Sequence, residues 1–572
     1  MQSSSRSNDT AVTIEDALCV ASADEVQWHD SADVLVVGWG AAGACAAIEA
    51  RTAGADVLVI DRFGGGGASV LSGGVVYAGG GTRYQKQAGF LDTPQTMAEY
   101  LRHEVNGVVS DEVVERFCRD SVANLEWLEQ QGARFGASMP SYKTSYPPDG
   151  CYLYYSGNEL VPAYGTSFQG KPAPRGHRTI AKGQSGATLY GALQKSTLQH
   201  GARTLTQASV RRLVREEQTG RVLGVEVWAL PADHPKTQRH KELDGLVAGW
   251  RLYQAAKAHQ GRLESAQIER EIGQRRLIRA RRGVVLSTGG YVFNPQLLKQ
   301  HAPAYHGGWP IGGAGCDGSG LRLGQSVGAS AQDLDNISAW RFITPPGDWP
   351  KGLVVNTQGE RFCNEQVYGA KLGYEMVERQ GGKAWLILDA SLRRKATWQC
   401  LFGRLWAFQS LPALMLMYKT AIKGKSIADL AQRIQVDPGV LQRQFDRANA
   451  AARGELEDPM GKSMDMRHEF KAGPYYAIDI SITQKMFPLA ILSLGGLKVN
   501  ADTGAVQDKR GHDIPGLYAA GRTAIGVASS RYVSGLSLAD CVFSGRRAGK
   551  AAAQAQEAAA VCGADTTELQ QA

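Results

Sequence analysis

Three glycines and one acid have the clearest chemical purpose in this chain. Gly38, Gly40 and Gly43 stand at G-x-G-x-x-G spacing directly after the apolar run "DVLVV", and Asp61 closes a second run, "DVLVID". An acid about twenty positions after such glycines is the arrangement of a dinucleotide site. The first glycine permits a tight turn, the second lets backbone approach a pyrophosphate, and the third lets the next helix pack closely with its N-terminus facing the anion. Asp61 is then placed to hold a ribose hydroxyl. Tyr532 also asks for a chemical reason. It lies in "GVASSRYVSGLSLADCVFSG" (526–545), a loop that feeds a helix. A phenol there can donate a hydrogen bond to a carbonyl or, when ionised, take a proton.

The elements that must carry these residues follow from pattern. "DVLVV" and "DVLVID" are strand-length apolar runs, and "ACAAIEARTAG" between them is helix-forming with small residues toward the strand, so residues 33–62 read as a βαβ unit. Gly313, Gly315 and Gly318 repeat the glycine spacing, but the preceding "HAPAYHGGWPI" is no strand, so that match is chance or a loop with another job. "FGGGGASVLSGGVVYAGGGT" (63–82) is a long Gly/Ser segment that a plain NAD domain does not need and that suits backbone wrapped around a large flavin. "RRGVVLSTGGYVFN" (281–294) reads as a strand ending in a small-residue turn, and "IPGLYAAGRTAIGV" (514–527) as a last strand that returns the chain to the cofactor.

Composition sets the bounds. The 572 residues suffice for two or three domains with a large core. Glycine supplies 68 of them, about 12% against a usual ~7%, clustered without a repeat as expected where backbone presses on a ligand. Nine scattered cysteines form no CxxC or Cys/His cluster, which argues against zinc, iron–sulfur and attached haem, so no metal is expected. The odd count suits reduced thiols and a cytoplasmic setting. The first 30 residues show no signal-peptide pattern, and no run of 18 uncharged apolar residues reads as a spanning helix. The net charge of +8 is concentrated: residues 236–282 hold twelve Lys/Arg against five Asp/Glu. Nucleic acid is therefore not an expected partner.

With these motifs in place, the chain resembles the fumarate reductase/succinate dehydrogenase flavoprotein superfamily over roughly residues 30 to 555. The resemblance implies an α/β architecture: a discontinuous Rossmann-like FAD-binding domain (30–335 and 487–572) and an inserted α+β catalytic domain (336–486) that caps the substrate. It implies non-covalent FAD, because no histidine occurs in 61–82. It also implies a cofactor set of Gly38, Gly40, Ala42, Gly43, Asp61, Arg62, Ser69, Ser72, Gly73, Gly74, Thr288, Gly289, Asp317, Gly521, Leu536, Ser537 and Leu538.

Members that act on dicarboxylates carry a histidine in "HTxGG", an arginine shortly after "RFxNE" and another in "NRxGGN". Here "ILSLGGL" places Leu492 at the histidine, "RFCNEQVYG" brings Tyr368 to the first arginine's place, and "SRYVSGL" puts Tyr532 at the second. A neutral, aromatic pocket of this kind suits a bulky apolar ketone. The 3-ketosteroid dehydrogenases are the branch with a tyrosine pair. Tyr532-Val533-Ser534-Gly535 resembles the Tyr-x-Ser-Gly of their Δ4-(5α) type, whereas the Δ1 type carries a "YPGPG"-like segment. The implied reaction is 4,5-desaturation of a 3-oxo-5α-steroid. Tyr532, Tyr368 and Ser534 are the implied catalytic residues, and Gly535 and Leu492 join the tyrosines in binding substrate. Tyr532 and nearby amides would polarise the ketone, and Tyr368 with Ser534 would help remove the C4 proton. The alternatives are Δ1-dehydrogenation, another flavin reductase of the superfamily, and an electron-transfer flavoprotein. The external electron acceptor has no visible motif.

Residues 234–282 depart from the superfamily core. Leu243, Val247, Trp250 and Gln254 share one helical face in this stretch. It is expected to be a basic helical insertion, solvated or in peripheral contact with the inner face of the membrane. "LFGRLWAFQSLPALMLMYK" (401–419) is a second apolar stretch, expected at the steroid entrance or in the inserted domain's core.

Overall fold

A computed structural model describes residues 13–165, 171–250, 254–471 and 473–556. Its main sheet has nine strands drawn from both ends of the chain. The strand Asp30–Val37 pairs in parallel with Val57–Ile60 on one side and with Gln274–Leu286 on the other. Leu35 and Val36 are fully buried, as expected of a strand covered on both faces. Gln274–Leu286 serves two purposes along its length. Its N-terminal part pairs antiparallel with Val222–Ala229, and Val284–Leu286 run parallel to Leu517–Ala519 of the late strand Asp513–Ala519.

The expected βαβ unit is present, with the helix Ala41–Thr52 between its two strands. That helix packs on the C-terminal helix Leu536–Gln554 through small residues. A side chain at Gly545 would meet the Ala42 carbonyl oxygen at 2.5 Å, and one at Gly549 would overlap the Ala46 carbonyl. The ends of the chain are thereby locked together beside the glycine motif.

Residues 353–479 supply a separate antiparallel sheet, in the order Leu353–Val355, Trp385–Asp389, Tyr475–Asp479, Ile422–Gly424. It is flanked by the helices Gly369–Gln380, Ala390–Phe402, Ile427–Ile434 and Pro438–Ala452. The buried ion cluster of Arg361 with Glu365 (2.8 Å) and Asp458 (2.9 Å), joined by Lys462 to Glu365 (2.8 Å), pins the "RFCNE" turn. A small sheet of Trp309–Pro310, Ala490–Ser493 and Ile337–Trp340 lies where the chain passes between the two large sheets in sequence.

The 234–282 segment is a helical hairpin, Pro235–Trp250 and Ala255–Ile272, running into the long strand. Leu243 and Val247 are buried as their spacing predicts; the Trp250 side chain and residues 251–253 lie outside the described residues.

Candidate active site

The glycine turn, the 63–82 segment, the 288–289 turn, the 311–316 loop, Tyr368 and the 532–538 segment line one cavity of ≈ 430 Å³. Gly38 adopts φ +99°, and a side chain there would strike the Ser287 carbonyl oxygen at 2.7 Å. Two helix N-termini open toward this space with no cap from their own N-cap residue: Ala41–Thr52, preceded by Gly40, where the Ala41 amide donates to Ser69 Oγ at 3.0 Å, and Leu536–Gln554, preceded by Gly535 at φ +91°. Uncapped N-termini carry free N–H groups and partial positive charge, which suits a pyrophosphate and an electron-rich ring system. Arg522 Nη1 lines the same space, buried and without a protein partner. A large anionic dinucleotide with a flat ring fits a backbone-walled cavity that also offers an unpaired guanidinium N–H.

Most of the expected cofactor residues line the cavity: Gly38, Gly40, Ala42, Asp61, Arg62, Ser69, Ser72, Gly73, Thr288, Gly289, Gly521, Ser537 and Leu538. Four do not, each for a packing reason. Gly43 lies against the Gly38 carbonyl and lets the helix approach the turn. Gly74 is pressed on the Ser185 backbone. Asp317 acts one layer out, accepting from Arg62 Nη1 at 3.0 Å. Leu536 is fully buried, and its amide is already given to the Val533 carbonyl at 3.2 Å.

Asp61 lines the cavity, but its carboxylate also receives the amides of Trp39 (2.7 Å), Phe63 (2.8 Å) and Gly65 (3.2 Å). It therefore braces the turn as well as facing the ligand space. Burial raises its pKa, and those three amides oppose the rise.

Sequence reasoning left one wall of the cavity open and missed another. Of the two readings of the second glycine match, chance or a loop with another job, the lining supports the loop: Gly313 and Gly315, with Gly312 before them, line the space, and a side chain on Gly313 would meet the Gly67 backbone at 2.6 Å. The hairpin closes the Asp61 end. Its Asp244 lines the cavity, and its buried His240 stacks on Phe63 at 5.1 Å. His240 Nε2 lies 3.0 Å from Glu269, whose carboxylate takes Arg62 Nε at 2.6 Å.

The reactive end is aromatic. Tyr368, Tyr532, Ser534, Gly535 and Leu492 all line the cavity, with Trp340 and Phe342 beside them. Tyr532 packs on Trp340 (ring centroids 5.0 Å apart), and Tyr368 meets Phe342 edge-on at 5.1 Å. Tyr368 caps the helix Gly369–Gln380, and its amide donates to Asn158 Oδ1 at 2.6 Å. The Ser534 hydroxyl lies 2.9 Å from that of Tyr154, a buried tyrosine on the strand Leu153–Tyr154. Ser534 thus shares the cavity lining with Tyr368 and Tyr532 and ties it to Tyr154 behind.

Burial pushes Tyr368 well above the usual phenol range, with Tyr532 and Tyr154 adding to the rise. Burial also lifts Tyr532, to about 12, against the pull of the Arg522 cation. Both phenols are thus held protonated near neutral pH and can donate to an oxygen gaining negative charge. Among the described residues no backbone acceptor takes the Gly535 amide, so it is the free N–H beside Tyr532.

Comparison with known proteins places this arrangement. The FAD binding domain family matches residues 33–538. The chain is 63% identical over 528 residues to the 3-oxo-5-alpha-steroid 4-dehydrogenase of Comamonas testosteroni, covering 89% of this chain and 96% of that protein. It is 26% identical to a 3-oxosteroid 1-dehydrogenase of Mycobacterium tuberculosis, over 87% of this chain and 94% of the other. The crystal structure of the 3-ketosteroid-delta4-(5alpha)-dehydrogenase from Rhodococcus jostii RHA1, in complex with 4-androstene-3,17-dione, superposes with a TM-score of 0.78 at 29% identity, covering 94% of this chain and all of that one. The chain belongs to the FAD-binding flavoprotein family, on the branch that also holds the Comamonas enzyme.

Proposed function

We propose that this protein is an FAD-dependent dehydrogenase that inserts the 4,5 double bond into 3-oxo-5α-steroids. The observation that carries the reading is the Tyr368, Tyr532 and Ser534 side chains lining one cavity walled by Leu492, Trp340 and Phe342, with Ser534 held by Tyr154 at 2.9 Å. FAD, when bound, accepts the hydride from the carbon β to the ketone. The chain's own residues do the rest. Tyr532 and the Gly535 amide donate to the C3 oxygen and stabilise the enolate that develops. Tyr368 takes the C4 proton while its own proton passes to Ser534, the Ser534 proton to Tyr154, and the Tyr154 proton out to water, so one proton leaves to solvent for each hydride accepted and no free phenolate has to exist beforehand. The apolar walls exclude water and hold ring A.

We assign residues 30–335 and 487–572 to the cofactor and 336–486 to the cap that contributes Tyr368. The flavin is held without a covalent bond, since 61–82 offers no histidine for attachment. We place no membrane contact on the 234–282 hairpin. Two of its basic side chains pair with its own acids, Arg239 with Glu264 (2.7 Å) and Lys236 with Glu271, and Leu246 is its one large exposed apolar side chain among the described residues.

Anaerobic addition of a 5α-reduced 3-ketosteroid to the yellow holoenzyme tests the activity. Loss of the oxidised flavin absorbance supports it. An unchanged spectrum, with bleaching by an unsaturated acid's reduced form instead, would assign the protein to another flavin reductase.

A further inference from the structure

The inserted region carries an apolar surface that the fold leaves open. Of the twelve large hydrophobic side chains exposed among the described residues, seven lie between Trp398 and Tyr418. Six of them occupy two helices at helical spacing, and Tyr418 lies on the turn Leu416–Thr420 that follows the second. Trp398, Leu401 and Phe402 line one face of Ala390–Phe402, and Phe408, Leu411 and Met415 line one face of Ala407–Met415. Each helix buries a different apolar face, with Leu392, Ala396 and Cys400 on the first and Ala413 on the second. The exposed faces are thus extra to the packing of the domain. The two helices pack on each other, Trp398 meets Phe402 at 4.3 Å within the first, and Tyr418, just past the second, hydrogen-bonds Thr397 of the first at 2.9 Å.

Charge identifies the occupant. Residues 390–428 contain seven Lys/Arg and no Asp or Glu. Arg394, Lys395, Arg404, Lys419, Lys423 and Lys425 are exposed around the apolar faces. A second copy of the chain would bring two such surfaces together in a symmetric dimer and repel itself. An anionic bilayer complements both features, taking aromatic and aliphatic side chains into the headgroup boundary and basic ones at the phosphates. No described helix is long and apolar enough to cross a membrane. The surface also reaches the active site. Phe408 is 47% exposed and at the same time lines the cavity, and Trp406 beside it packs on Tyr146 of the cavity wall.

We infer that the 390–425 surface docks the enzyme on anionic lipid, with the cavity mouth at Phe408 turned to the bilayer. As an entry route for a lipid-dissolved ketone this rests on the proposed function; as a lipid-binding surface it does not. The test is co-sedimentation of holoenzyme, without steroid, on vesicles of phosphatidylcholine alone and of phosphatidylcholine with phosphatidylglycerol. The wild type should bind the anionic vesicles and lose most of that binding at about 1 M salt, where the Debye length is ~3 Å. The triple variant W398S/F402S/L411S should bind at least about tenfold more weakly. The second variant, R394Q/K395Q/K419Q, should lose the preference for anionic vesicles, each basic residue being worth about fivefold there. Both variants should turn over steroid supplied on a water-soluble carrier at the wild-type rate and be slower on vesicle-dissolved steroid. Absence of wild-type binding to anionic vesicles, or equal binding by wild type and both variants, would overturn the inference. So would a wild-type dimer that the first variant converts to monomer, which would assign the surface to self-association.

Discussion

Replacing Tyr532 by phenylalanine isolates a single hydrogen-bond donor. Among the described residues the Tyr532 hydroxyl has no protein partner, so its removal orphans nothing in the resting protein. The phenylalanine ring keeps the Trp340 contact at 5.0 Å. Stability should therefore stay within about 0.5 kcal/mol of wild type, as for substitutions that remove no packed or paired group. Flavin binding should also be unchanged, because the cofactor cradle is mainly backbone. Turnover should fall about 10²–10³-fold, the cost of removing one donor to a developing oxyanion, or roughly 2.7–4 kcal/mol. The loss stops there because the Gly535 amide still faces the ketone. It should appear in kcat more than in KM, since the bond strengthens as negative charge accumulates. Steady-state rates with an artificial electron acceptor, together with the flavin spectrum and Tm, measure all three quantities. A variant with normal flavin content and turnover within tenfold of wild type would return Tyr532 to a packing role.

Other perturbations separate the remaining parts. Gly40→Val should fold but be colourless: a Cβ there meets nothing closer than Ser69 Oγ at 3.6 Å, so the added methyls project into the pyrophosphate space; a yellow, active variant would refute the cradle. Ser534→Ala and Tyr154→Phe should each slow turnover by about 10–100-fold, as expected for an interrupted proton relay, with the double variant no worse than the poorer single one; additive losses by stopped-flow flavin reduction would count against a shared relay. His177 is fully buried, and burial lowers its pKa to about 4 from the usual 6.5. Its folded form therefore resists a proton that the unfolded chain takes up. Stability should be intact above pH 6.5 and fall by about 3 kcal/mol as pH drops to 4. His177→Gln should flatten that part of the Tm–pH curve, and an unchanged slope would assign it elsewhere.

The cofactor half of the site was legible because dinucleotide binding imposes backbone geometry, and backbone geometry constrains residue type. Gly38, Gly40 and Asp61 announce themselves by spacing, and the strands around them by apolar runs. The reactive half was legible only where a motif names a position, as at Tyr368, Tyr532 and Ser534. Tyr154 stands among Tyr152, Tyr155 and other polar residues in "CYLYYSGNE", and strand pairing alone decides which phenol reaches Ser534. Arg522 looked like the end of a strand, and only the fold turns it into the cavity. The Gly313–Gly318 match could be read only as chance or as a loop with another job, because no strand precedes it, and its loop walls the space instead of binding a phosphate at a helix. Asp244 and His240 were obscured by the charge of their segment. The basic stretch 390–425 was hidden in the net charge, since acids elsewhere cancel it.

Regiochemistry tests the account most directly. Hydride transfer needs its carbon about 3–3.5 Å from the acceptor atom. C5 and C1 lie on opposite sides of the C3 ketone, so one pose of ring A against Tyr532 and Gly535 yields one double bond. Holoenzyme with an artificial acceptor should be incubated in parallel with a 5α-reduced 3-ketosteroid and with a 4-ene-3-one, and the products identified by mass spectrometry and NMR. The account predicts rapid conversion of the first to the 4-ene-3-one and no comparable conversion of the second to the 1,4-diene. Fast formation of the 1,4-diene from the 4-ene-3-one would contradict it and make the protein a Δ1-dehydrogenase.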